Sequence, residues 1–182
     1  SILRYLIRAS CYPRIPDPES RIPSMYTFPM PPLDVPALVL RNAHLSADYN
    51  VLDLEAPAIA AASLPGQFVM IRTAPGTDPL LRRPFSVFEI LRDAVGTPTG
   101  LSVLCKRIGP GTARLYDAAA GDTLAVLGPL GKPFSVVSPP TEAWMVAGGV
   151  GLAPFATLTE AVQATGAPAK LFYGGRSRAD LF

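Results

Sequence analysis

Histidine and cysteine are almost missing from this chain: His44 stands alone, and Cys11 and Cys105 are the two cysteines among 182 residues. The two lie far apart and neither sits in a CxxC pair, so a disulfide framework, a zinc site and an iron–sulfur site are all excluded. One histidine cannot build a multi-histidine metal centre. A Ser/His/Asp mechanism could draw only on His44, which falls between two predicted strands and is expected to face solvent, so hydrolase chemistry fails on this count. Long apolar runs are also missing. None approaches the roughly 20 residues that a bilayer-spanning helix needs, and no membrane contact is expected. Nor is there an excess of one charge: the formal net charge is +2. The arginines are scattered without an aromatic-interleaved stripe, so nucleic acid is not an expected partner. Reduced, unpaired cysteines make the cytoplasm the expected compartment.

Proline is what the chain has in quantity, 21 residues of it, and eight of these crowd the stretch from Pro13 to Pro36. Such a stretch favours extended, poorly packed backbone; residues 1–36 read as an extension, and residues 1–30 are expected to carry no functional site. The apolar start ILRYLI is too short and too broken by arginine for a signal-peptide core. Met25 and Met30 are the candidate native starts.

From Ala37 the texture becomes β. Segments 37–45, 49–54, 67–73, 85–91, 101–108 and 123–127 are short runs with β-branched or aromatic content, punctuated by PG, DP, GTPTG and GD turns. Six strands with no helix between them predict a small antiparallel barrel or sandwich over residues 37–135. The one interruption expected is Gly109-Pro110-Gly111-Thr112, a glycine loop opening a short helix with Thr112 as its N-cap. Leu127 to Phe134 and Ser138-Pro139-Pro140 read as a linker.

Beyond the linker, Trp144 to Ala147 run straight into Gly148, Gly149 and Gly151. Leu152, Phe155, Leu158 and Val162 then recur near helical spacing. Pro154 falls in the first turn, where no intrahelical donor is lost, and Gly166 and Pro168 end the helix. Lys170 to Tyr173 supplies a second strand before Gly174 and Gly175. This is the start of a βαβ unit, residues 141–182, whose glycine turn lets a ligand approach the backbone and favours phosphate at the helix start. It keeps two of the three glycines of the dinucleotide fingerprint, and Arg176 stands where a ribose-binding acid is expected. By itself the turn reads equally well as glycines placed for strand–helix packing.

Two further stretches carry candidate chemistry. Leu81-Arg82-Arg83-Pro84-Phe85-Ser86 offers guanidinium forks for phosphate, an aromatic face and a hydroxyl. From these residues alone, two solvated arginines at a strand entrance is the simpler reading. Strand alternation would send Arg83 and Ser86 to opposite faces unless the chain bends at Pro84. The loop Gly109–Thr112 could cradle an anion, or be an ordinary capped helix.

In order, PGQFV (65–69), RRPFS (82–86), GPGT (109–112), GPLGKPF (128–134), AGGVGLAP (147–154) and FYGGRSRADLF (172–182) resemble the ferredoxin–NADP reductase superfamily, and within it the electron transfer subunits of dihydroorotate dehydrogenase. The resemblance covers residues 37–182. It implies a flavin domain on the barrel and a nicotinamide-nucleotide domain on the βαβ unit. Arg83 would bind the FAD diphosphate, with Pro84, Phe85 and Ser86 near the isoalloxazine. Leu104, Cys105 and Lys106 would border the flavin, and Gly111 and Thr112 would bind its diphosphate. Gly148, Gly149 and Gly151 would receive NAD(H), with Gly175 and Arg176 near its adenosine end. No residue is expected to act as a catalytic acid or base, since the reaction is hydride exchange between nicotinamide and flavin.

The family partner is a catalytic subunit that oxidises dihydroorotate, giving a hetero-oligomer in pyrimidine biosynthesis. Reductase subunits of sulfide dehydrogenases or hydrogenases, and a non-catalytic flavin-binding module, are the alternatives. Three departures stand out. Lys132-Pro133 replaces an Asn-Gly, residues 1–36 have no counterpart, and the cysteines of the family's [2Fe–2S] centre are absent together with later strands of the nucleotide domain. The chain reads as a fragment in which NAD is the expected nucleotide, although Arg176 could meet a 2′-phosphate.

Overall fold

β-Branched and aromatic residues suit a pleated, half-buried surface, and the runs seen in the sequence become strands. The computed structural model describes residues 31–73, 80–135, 142–177 and 180–181; the expected extension up to residue 30 and Ser138–Pro140 lie outside these. Strands β1 (Leu33–His44), β2 (Tyr49–Glu55), β3 (Phe68–Arg72), β4 (Arg83–Arg92), β5 (Pro98–Lys106) and β6 (Thr123–Leu130) close into a barrel in the order β1-β2-β5-β4-β3-β6. All neighbouring pairs are antiparallel. Leu52, Leu54, Val69, Ile71, Val103 and Val126 fill the interior and are fully buried.

Three boundaries differ from expectation. β1 begins at Leu33, inside the stretch read as an extension. Residues 33–37 have one neighbour only, β6, because pairing with β2 starts at Leu38↔Glu55. Pro36 is tolerated there since a one-sided strand leaves half its backbone donors without a ladder to serve. β6 runs on to Leu130, so Gly128 and Pro129 belong to a strand rather than to a linker. A short helix, α1 (Pro57–Ala62), also interrupts the strands, where no helix was expected. Its six residues are too few to show a helical period, and its start is marked only by Pro57 in the first turn.

Helix α2 (Pro110–Asp117) follows β5. Leu115 of α2 and Ile59 of α1 both join the barrel core. The amide of Asn42 donates to the carbonyls of Tyr116 and Ala118, each at 2.8 Å, and Asn50 donates to Leu115 at 3.2 Å. One half-buried and one buried amide therefore serve the end carbonyls that α2 cannot pair within itself. His44 is exposed, as expected, at the end of β1, where its ring stacks on Tyr116 at 4.1 Å.

The second unit is β7 (Ala143–Gly148), a single 3₁₀ turn (Gly149–Leu152), α3 (Ala153–Gln163) and β8 (Ala169–Gly174). β7 and β8 are parallel, from Ala143↔Ala169 to Gly148↔Gly174. Helix α3 packs chiefly against β4 of the barrel. Its first residue, Ala153, is buried with Val51 and Leu104, with Phe88 and Leu152 beside them. Phe134, in the connection between the units, stacks on Phe155 of α3 at 6.1 Å. No helix among the described residues is long and apolar enough to cross a membrane.

Candidate flavin and nucleotide site

Strands β4 and β5 pair only from Val87↔Val103 onward. Before that point β4 continues along β3, with Ile71↔Arg83 and Phe68↔Ser86, while β5 continues along β2, with Val51↔Leu104 and Tyr49↔Lys106. The two strands therefore part, and a cavity of about 330 Å³ opens in the gap. Arg83, Pro84, Phe85 and Ser86 line one side of it, and Leu104 and Lys106 the other. Ile108 in the loop before α2 and Thr112 in its first turn join them, and Val150 and Ala153 of the second unit close over it.

This split resolves the conflict between Arg83 and Ser86. The cavity lies against the edge of β4, not against one face, so side chains of both parities reach it without any irregularity in the β3–β4 register. It also separates the two arginines. Arg82 spans to β1, where one guanidinium nitrogen donates to both carboxylate oxygens of Asp34 at 3.0 and 2.7 Å. Arg83 donates to its neighbour Leu81 at 3.2 Å, and no carboxylate among the described residues pairs with it. Its charge remains available to the cavity.

Cys105 differs from its two neighbours on β5 in where its side chain points. It lies between two cavity-lining residues, but its side chain turns into the barrel core and is wholly buried. Burial pushes its thiol up to about 12. Thr112 lines the cavity but is not the N-cap of α2. Gly109 holds that position, and the Thr112 hydroxyl reaches back to accept from the backbone N–H of Gly109 at 3.1 Å and of Ile108 at 2.9 Å. Gly111 is buried in the first turn of the helix.

A second cavity of about 450 Å³ lies beside the first, lined by Gly148, Gly149, Gly174, Gly175 and Arg176 together with Asp180, Tyr49 and Lys106. Lys106 and Val150 border both cavities. Gly149 has a φ of +53°, and a Cβ there would come 3.3 Å from the Tyr49 hydroxyl, so this position favours glycine twice over. Gly151 does not line the cavity; it is exposed on the 3₁₀ turn. Gly175 sits in a tight turn, where a Cβ would lie 2.8 Å from that of Asp180.

Sequence reasoning missed Tyr49 and Asp180. The Lys106 ammonium donates to the Tyr49 hydroxyl at 2.7 Å and to Asp180 Oδ1 at 3.1 Å, and Tyr49 donates to the same oxygen at 3.1 Å. Arg176 Nε lies 3.9 Å from the other oxygen, Oδ2. Hydrogen bonding to Tyr49 raises the Lys106 pKa above its ordinary value. Hydrogen bonding from Lys106 is the leading cause that holds the Asp180 carboxyl below its ordinary range. This sequence does not hold the cysteine set that an iron–sulfur centre needs, so its residues do not fit one.

No protein-family model matches the chain. The electron transfer subunit of dihydroorotate dehydrogenase B (NAD+) from Desulforamulus reducens is 34% identical over 146 residues, 80% of this chain and 54% of that protein. The subunit of the same name from Geobacillus kaustophilus is 37% identical over 120 residues, 65% of this chain and 45% of that one. Among solved structures, the ferredoxin reductase of carbazole 1,9a-dioxygenase superposes with a TM-score of 0.70 at 27% identity, covering 83% of this chain and 45% of that one. The chain spans about half the length of the curated relatives it matches. It is thus similar to the dihydroorotate dehydrogenase electron transfer subunits over up to 80% of its length, and it has the barrel-plus-α/β fold of the ferredoxin reductases.

Proposed function

We propose that the chain is the FAD- and NAD(H)-binding part of a dihydroorotate dehydrogenase electron transfer subunit, working with a catalytic dehydrogenase subunit. The observation that carries this reading is the gap between β4 and β5, with its arginine-bearing edge, beside a glycine-lined cavity that shares Lys106 and Val150 with it. Parted strands present backbone donors and acceptors at Arg83–Ser86 and Leu104–Lys106 that a planar heterocycle can use. A volume of about 330 Å³ falls in the range of ligand pockets and suits a ring system. The cofactor, when bound, accepts a hydride and releases single electrons.

The chain's own residues bind, orient and exclude water. Arg83, which pairs with no carboxylate among the described residues, offers its guanidinium to a diphosphate, which planar forks hold bidentately. Cys105 would act through its backbone, since its thiol faces the core. Val150 and Ala153 cover the gap from the nucleotide side and shield it from water. Gly148 and Gly149 allow a nucleotide close to the backbone, at the border where Lys106 stands between the cavities. NAD fits better than NADP, because Asp180 beside Arg176 opposes a 2′-phosphate.

Anaerobic addition of NADH to the FAD-loaded protein is the test. Bleaching of the flavin absorbance band that saturates with NADH, and prefers it over NADPH, is the expected outcome. Bound flavin that NADH leaves oxidised would sink the electron-transfer reading in favour of a flavin-binding module.

A further inference from the structure

Among the described residues, Asp180 is the one carboxylate that borders the glycine cavity, and it stands between the two cations that line it, Lys106 and Arg176. Its Oδ1 takes the Lys106 ammonium at 3.1 Å, and its Oδ2 faces Arg176 at 3.9 Å. The Tyr49 hydroxyl adds a hydrogen bond to Oδ1, and Ser177 Oγ donates to Oδ2 at 3.4 Å. The side chains of Lys106 and Asp180 are only 19% and 13% exposed. The turn at Gly175 brings Asp180 back over the cavity, close enough that no side chain fits between. Lys106 and Arg176, the positive groups among the described residues that could attract an anion here, thus already face a negative one.

We propose that Asp180 is an internal competitor: its carboxylate occupies the place of a ligand's anionic group on Lys106 and Arg176, and a phosphate-bearing nucleotide binds only by displacing it. The inference rests on the nucleotide reading of the glycine cavity and adds to it a residue that weakens binding. Like charges disfavour one another at this range, and an incoming diphosphate would meet Asp180 before it met either cation. A structural ion pair alone makes no such prediction, because removing it would loosen the cavity and weaken every ligand alike. A carboxylate that held a ribose through its hydroxyls would also give the opposite sign, since its loss would weaken binding.

The test is a charge series of ligands, adenosine, AMP and ADP-ribose, titrated calorimetrically into the full chain and its variants. For Asp180→Asn, ADP-ribose is expected to bind about three- to tenfold more tightly, AMP less so, and adenosine no more tightly than before. Asp180→Glu, which keeps the charge, should stay near the original affinity. Lys106→Gln in the Asp180→Asn background should cancel most of the gain. Tyr49→Phe, which removes one of the bonds holding Asp180, should give a smaller gain in the same direction and serves if Asp180→Asn fails to fold. Unchanged or weaker ADP-ribose binding to both Asp180→Asn and Tyr49→Phe, alongside normal binding to the unaltered chain, would overturn the competitor role and leave the nucleotide site standing. If no adenine ligand binds any of the proteins, the nucleotide reading fails and the competitor role with it.

Discussion

Every barrel strand has two hydrogen-bonded neighbours, whereas β7 and β8, among the described residues, have only each other. The side chains follow. β2 is buried along all but its last residue, with Leu52 and Leu54 facing the core and Val51 facing the second unit. On β7 and β8 the face away from α3 is open: Trp144 is 64% exposed, Val146 62% and Phe172 48%. That face is partly dressed by its own residues, since Lys170 lies over the Trp144 ring at 5.5 Å and pairs with Glu142 at 2.7 Å. The barrel makes its own interior, while the second unit takes much of its support from the barrel, through α3 on β4 and Ala153 on Val51 and Leu104. The two cavities inherit this difference. The first is framed by barrel strands on both sides; the second has its polar wall supplied by Tyr49 and Lys106 across the junction.

The largest effect that would test the contrast is a core deletion. Leu52→Ala should destabilise the protein by about 2–5 kcal/mol in urea unfolding, the cost of lost burial plus a cavity. Leu171→Ala, at a half-exposed site on β8, should stay within about 0.5 kcal/mol. Equal losses would mean that β7 and β8 are as deeply integrated as the barrel.

Next comes the division of labour between the arginines. Arg83→Ala should weaken FAD binding about 10- to 100-fold in a flavin fluorescence titration, the scale of a lost charged hydrogen bond. Arg82→Ala breaks the pair with Asp34 and a 3.5 Å bond to the Ala125 carbonyl, neither of which involves a residue lining the cavity, and should change FAD affinity far less. Comparable effects would place both guanidiniums at the ligand. Gly149→Ala should sharpen the same contrast from the other cavity. A φ of +53° and a Cβ 3.3 Å from the Tyr49 hydroxyl strain the turn by about 1–2 kcal/mol. Nucleotide affinity should fall while FAD affinity holds, and a matched loss of FAD would tie the two cavities into one.

How much of this could be read from residues alone follows the range of the interactions. Strand runs and the glycine turn are local, and both appear near where composition and spacing put them. The split between β4 and β5 depends on β5 leaving β4 to follow β2, which no period in either strand encodes. That is why Arg83 and Ser86 looked incompatible until the strand edge came into view. Tyr49 and Asp180 are 131 positions apart, and each is unremarkable in its own segment: an aromatic at a strand start, an acid after a glycine turn. Cys105 shows a different limit, because naming three successive bordering residues does not say that strand alternation turns the middle side chain inward. Pro36 hid the start of β1, since a proline in a strand normally argues against it and only a one-sided strand makes room for it.

The smallest expected effect concerns the acid limb of stability and isolates the junction from the rest of the molecule. Asp180 has its carboxyl held below the ordinary range, chiefly by the Lys106 hydrogen bond, so its contribution is present above the pKa of an unfolded aspartate and is lost as pH falls through the lowered value. Lys106 has a raised pKa, so its share is complete below the ordinary lysine value and fades only as pH climbs through the raised one. Between those limits the pair is fully charged and its contribution flat. The melting temperature of the unaltered chain should therefore exceed that of Asp180→Asn by a small, constant amount from about pH 6 to pH 9, and the two should converge as pH falls below about 4, where aspartate titrates. Other carboxylates titrate in both proteins and cancel in the difference. A gap that persists undiminished at pH 3 would show that Asp180 supports the junction through packing and not through charge, and with it the contrast between a self-supporting barrel and an electrostatically fastened second unit would lose its electrostatic half.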